Sequence, residues 1–135
     1  MLKKVNSRNL FLSLEPVDYE EIDKIYASST IGLAFYTESD PNFSEISMAS
    51  GKLPQYLKFG KPVLASNLPS LSQLIEQYQC GIIINDPSNS EEIESAITLI
   101  LSDYDYYSRN AKNCFDAEFN FSQKMLPILE FVERL

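Results

Sequence analysis

The sequence predicts an α/β fold: a parallel sheet of about four strands flanked by helices, with a helical C-terminal tail. Three observations carry this. Short apolar runs of strand length alternate with amphipathic stretches of helical period along residues 9–84. Gly60 and Gly81 stand where helical stretches stop, each shortly before the next apolar run. Beyond residue 88 only helical periodicity remains. Buried strands separated by helices imply parallel pairing through right-handed crossovers. The order reads β-α-β-α-β-α-β-α-α-α. At 135 residues and 44% hydrophobic content, the chain is one domain with a single core. Its β/α region is 9–87 and its C-terminal helices are 88–135.

Residues 9–14 form the first apolar run, a buried strand, and Glu15, Pro16 and Val17 turn the chain after it. Asp18 is placed to cap the next helix, with Glu21 completing a capping box and Tyr19, Ile22, Ile25 and Tyr26 on one face. The second strand is 31–36. The polar stretch 37–49 has no apolar periodicity and is long for a connection. It is either a solvated loop or a ligand-binding one, and it carries Glu38, Asp40 and Glu45. A helix from Ser50 then buries Leu53, Tyr56, Leu57 and Phe59, tolerates Pro54 in its first turn and closes at Gly60. The third strand is 62–65. Leu71, Leu74, Ile75 and Tyr78 mark an amphipathic helix that Gly81 ends, and the fourth strand is 82–84.

Asn89 or Ser88 caps the following helix, with Glu92 or Glu91 answering, and Ile93, Ala96, Ile97, Ile100 and Leu101 form its inner face. Tyr104, Tyr107, Ala111, Cys114 and Phe115 point inward from the next helix. Ser122 caps the last one, where Met125, Ile128, Leu129 and Val132 share a face and Pro127 belongs near the first turn.

The formal net charge is −8, and no basic face is visible, which argues against nucleic-acid binding. The absence of histidine removes Ser–His and Cys–His nucleophile systems and histidine metal ligands, and no metal site is expected. Acid–base chemistry would fall to carboxylates, lysine or tyrosine. Cys80 and Cys114 have no ligand-like spacing and read as reduced, buried hydrophobes. No run is long enough to span a membrane and no signal peptide is evident. The expected compartment is the cytoplasm, including a peripheral place on the inner membrane face.

The stretch 49–66 concentrates the functional signal. Small residues and a cation, Ser50, Gly51 and Lys52, open a helix where a strand hands over to it. Unsatisfied N–H groups at such a start favour an anion, most naturally phosphate.

Taken in order, these residues resemble the second half of the C-terminal domain of a family 4, GT-B glycosyltransferase. The matching pieces are residues 10–19, the strand at 31–36, the segment Ser-Gly-Lys-Leu-Pro-Gln-Tyr-Leu-Lys-Phe-Gly-Lys-Pro-Val at 50–63, residues 68–75, and Gly-Ile-Ile-Ile-Asn-Asp-Pro at 81–87. The resemblance implies a partial doubly wound, Rossmann-like sheet and a nucleotide-sugar donor as substrate, with no further cofactor. It implies retaining, metal-independent glycosyl transfer of the kind used in polysaccharide biosynthesis. It places the base against Pro16 and Val17, and the diphosphate at Ser50, Gly51 and Lys52. The ribose falls at Gln55, where the family carries a glutamate. The family's sugar-contacting glutamate falls at Ser47, and Glu45 is the nearby catalytic candidate.

Two β-α units that carry the family's diphosphate-neutralising cations, and the whole acceptor domain, have no counterpart here. The chain is therefore expected to be inactive alone. A homodimer or a companion chain would supply the missing strands; otherwise the first strand closes up beside the second in the order 1-2-3-4. The competing reading is a non-catalytic interaction module derived from such a domain. A receiver-like signalling domain ranks last, because the acidic residues are scattered rather than gathered at strand ends.

Overall fold

A computed structural model describes residues 15–37 and 46–135. The strand expected at 9–14 and the candidate Glu45 lie outside the described residues. A 3-10 turn, Tyr19–Glu21, leads into α1, Ile22–Ser28. Strand β1, Gly32–Ala34, is followed by a short helix α2, Ile46–Ala49, and by α3, Lys52–Lys58. Then come β2, Val63–Ser66, α4, Pro69–Tyr78, and β3, Gly81–Ile84. The chain ends with α5, Ser90–Ser102, α6, Tyr104–Cys114, a π-helical turn Phe115–Phe119, and α7, Phe121–Glu133.

Among the described residues the sheet has three parallel strands in the order β1-β2-β3, with Gly32 opposite Val63 and Val63 opposite Gly81. Alternation sends successive side chains to opposite faces. Ala34, Val63 and Ala65 join a core with Leu53 and Leu57 of α3, Leu71, Leu74 and Ile75 of α4, and Ala111 and Cys114 of α6. Leu64 and Ile84 join Ala96 and Ile100 of α5 on the other face. Two crossovers of one hand in a sequential order place α3 and α4 together, and α5, which follows the last strand, returns over the opposite face. Such two-sided cover is what a parallel sheet requires. The second face is thinnest over β1, where Leu33 is half exposed.

Gly60 closes α3 at φ 64°, as its position before the strand predicts, and Ser108 Oγ donates to its carbonyl at 2.7 Å. Asn89 caps α5, its oxygen accepting from the Glu91 and Glu92 amides. Several local expectations are corrected. Asp18 makes no side-chain cap bond, and Glu21 pairs instead with Lys24 at 2.7 Å. The left-handed residue ending α4 is Gln79, at φ 53°, so Gly81 already belongs to β3. Leu101 faces solvent rather than the core. Asn120, not Ser122, caps α7, which moves the helix start back and leaves Pro127 in its interior. Along α7 the apolar residues Phe121, Ile128, Leu129, Phe131 and Val132 are all exposed.

The π-helical turn is tied to α4 by a hydrogen bond from the Tyr78 phenol to the Glu118 carboxylate, which Lys124 also approaches at 3.4 Å. This bond holds the Glu118 carboxyl below its usual range and pushes the Tyr78 phenol up to about 12. The Glu118 contribution is present above the unfolded carboxyl pKa and fades as pH falls through the lowered folded value. The Tyr78 contribution is present below about pH 10 and fades as pH rises toward 12. Tyr78→Phe is therefore expected to cost about 1–2 kcal/mol near neutrality, discounted for partial exposure. The gap between variant and parent should narrow at both acid and alkaline ends of a urea-denaturation series.

Candidate functional site

The carboxyl ends of parallel strands are where this architecture gathers ligands, and here Tyr36 organises that edge. Two residues past β1, its amide donates to Ser66 Oγ at the end of β2, 2.9 Å away. Its hydroxyl is hydrogen-bonded to that of Ser50, and the Lys52 ammonium stands 4.8 Å from its ring centroid. Tyr36 thus ties the ends of two strands to the beginning of α3.

Ser50 is buried, and its polar groups are engaged within the chain. Its amide donates to the Ile46 carbonyl at 2.7 Å, and its Oγ accepts the Leu53 amide at 3.3 Å in addition to meeting Tyr36. It acts as a side-chain cap for α3. Gly51 is exposed, and a Cβ built on it would meet nothing within 4 Å. Lys52 is exposed beside it, its ammonium held over the Tyr36 ring in a cation–π contact.

Gln55 follows one turn into α3. Its Oε1 is shut off from solvent and has no hydrogen-bond partner. Such an acceptor costs about 1–3 kcal/mol when left unmet. Gln55 borders a cavity of about 290 Å³ between α3 and the beginning of α1, lined also by Tyr19, Glu20, Ile22, Asp23 and Lys58. The 2.8 Å ion pair between Lys58 and Asp23 closes one side of it. Edge-on packing of Tyr26 against Tyr56, centroids 4.9 Å apart, fixes the spacing of the two helices. Pro16 and Val17 are exposed just ahead of the Tyr19–Glu21 turn, with Val17 40% accessible.

The expected site residues therefore fall into two groups. Ser50 and Lys52 meet at Tyr36, and Gln55 borders the cavity beside α1. Tyr36, Ser66 and Glu20 were not singled out from the sequence. For Tyr36 the available signal was an aromatic residue directly after an apolar strand.

The remainder of the carboxyl edge is closed by its own side chains. Asn67 Nδ2 donates to Asn85 Oδ1 at 2.7 Å, and Ser72 Oγ donates to Asn67 Oδ1 at 2.8 Å. Glu92 accepts the Asn85 and Asp86 amides at 2.8 and 3.0 Å, and those donors hold its carboxyl below the usual range. Cys80 and Cys114 are buried and free, and their mutual hydrogen bond together with burial pushes the Cys114 thiol up. A thiol so placed is a poor nucleophile. Among the described residues no cluster of acidic or thiol side chains could hold a metal ion, and no helix is long and apolar enough to cross a membrane.

Residues 52–115 match the family model for glycosyl transferases group 1. No curated protein and no solved structure matches the chain.

Proposed function

We propose, from the group 1 glycosyltransferase segment that this chain carries at residues 52–115, that it forms the nucleotide-sugar donor-binding part of a glycosyltransferase. The single observation that carries this beyond the family match is the Gln55 oxygen, buried and unpartnered beside the α1–α3 cavity. A ribose hydroxyl is a donor of the right kind for it, and the ion-paired wall at Lys58 and Asp23 gives that cavity a fixed shape.

In this reading Pro16 and Val17 lie under the base. Lys52 faces the diphosphate, with the open ground in front of Gly51 taken up by ligand. Ser50 contributes by setting the helix start rather than by direct contact. In glycosyl transfer the bond from the anomeric carbon to the diphosphate breaks and a new bond to the acceptor oxygen forms. Charge develops on the departing diphosphate and needs cations. Lys52 alone is a weak provision, so the chain is expected to be inactive without a partner that brings further cations and the acceptor wall. A companion chain or second copy would also cover the half-exposed Leu33 and the apolar side of α7.

A second reading, a non-catalytic interaction module, is favoured by the internal engagement of Ser50. Calorimetry separates the two. The donor reading expects one of UDP, GDP or ADP to bind, and expects Gln55→Ala to weaken it about tenfold through the lost hydrogen bond. Ser50→Trp, which disrupts the start of α3, should abolish binding. The same samples on light scattering should show a mass above one chain. Silence with all three nucleotides, or a clean monomer that binds none, supports the module.

A further inference from the structure

We infer that the cavity between the Tyr19–Glu21 turn and α3 selects guanine among the nucleobases, and that the Glu20 carboxylate reads the base. This rests on the donor-nucleotide reading above and adds the identity of the nucleotide. Among the residues lining the cavity the one cation, Lys58, is already paired with Asp23 at 2.8 Å. Gln55 borders the cavity, and its oxygen is buried without a partner. Glu20, exposed on the opposite wall, makes no hydrogen bond or ion pair among the described residues. Tyr19 and Ile22 add the apolar surface that the faces of a flat ring require.

An ionised carboxylate only accepts hydrogen bonds, and it is satisfied best by two parallel donors. Guanine alone among the common bases carries two adjacent donors on one edge, its N1–H and its 2-amino group. Uracil sets a single N–H between two carbonyl oxygens, which a carboxylate repels. Adenine and cytosine each place an amino group beside a bare ring nitrogen, which is an acceptor. Glu20 therefore rewards guanine and penalises the others, and a site built to hydrogen-bond a group discriminates strongly against the analogue that lacks it. Gln55, from the facing wall, takes the sugar hydroxyl and is indifferent to the base.

Isothermal titration of the 135-residue chain with GDP, IDP, UDP and ADP tests this, IDP being the guanine analogue without its 2-amino group. GDP should bind tightest and IDP about tenfold more weakly. Glu20→Gln should abolish the difference between GDP and IDP and raise UDP affinity, narrowing the gap between GDP and UDP. Gln55→Ala should weaken GDP and IDP alike. Tighter binding of UDP or ADP, or a GDP preference that survives Glu20→Gln, overturns the base assignment and leaves the donor site standing. Absence of binding by all four overturns both. Glu20 is exposed, so its variants should keep the parent's circular dichroism spectrum, which serves as the control.

Discussion

Gly81→Ala is expected to destabilise the fold by about 3–5 kcal/mol, beyond the roughly 1–3 of ordinary overpacking. A Cβ at this position would lie 2.1 Å from the Val63 carbonyl oxygen and 2.9 Å from a Val63 methyl. Gly81 pairs with Val63 in the register of β2 and β3, so relief requires the strands themselves to part, not a side chain to rotate. Against a typical domain stability of about 5–15 kcal/mol, this one methyl group should move the urea midpoint down sharply or leave the chain unfolded. Gly51→Ala is the matched control. Its Cβ enters open space at an ordinary helical backbone angle, and the same experiment should find it within about 1 kcal/mol of the parent.

Gly32→Ala should cost about 2–4 kcal/mol by a different route. The added Cβ would sit 2.3–2.7 Å from three atoms of the Tyr56 ring, which is held in place by Tyr26. Here the obstacle is a side chain, so the cost can be recovered. Tyr56→Ala in the Gly32→Ala background should restore at least about 1 kcal/mol relative to the sum of the two single changes, a coupling that a double-mutant cycle reads directly. Simple additivity would mean that the ring moves aside freely. Tyr56 neighbours Gln55, so the single variant should also loosen the wall of the cavity.

The contrast between the two glycines bears on what could be read in the sequence. The alternation of apolar runs with helical stretches located β1, β2, β3, α3 and α4 to within a few residues, because burial on both faces forces continuous apolar strands, whereas the short helix α2 falls in the stretch 37–49 expected to be a loop. Asn89 and Gly60 were legible because a cap and a left-handed stop each demand a particular residue type. Gly81 was visible as a glycine but misread as a helix stop. Gln79 takes the left-handed turn instead, and the glycine is required by the closeness of β2, a tertiary fact with no local trace.

The residues expected at the site fall in two places in the fold, and their roles are not legible in the sequence. A serine that caps a helix and one that greets a ligand look identical in sequence. In the fold the Ser50 hydroxyl meets the Tyr36 hydroxyl and the Leu53 amide. Glu20 and Gln55 are thirty-five positions apart, and only the packing of α1 on α3 brings them to one cavity. The helix α7 began earlier than expected because Asn120 offered its oxygen first, and Ile128, Leu129 and Val132, expected to share a face, are exposed.

The sealing of Cys80 and Cys114 has a practical outcome. Both thiols lie wholly inside the core that joins α4, β3 and α6, so an alkylating reagent reaches them only while that core is apart. Their rate of labelling becomes a clock for spontaneous opening, readable by mass under native conditions. Any ligand that grips the folded chain should slow that clock in proportion to its affinity, whatever chemistry follows.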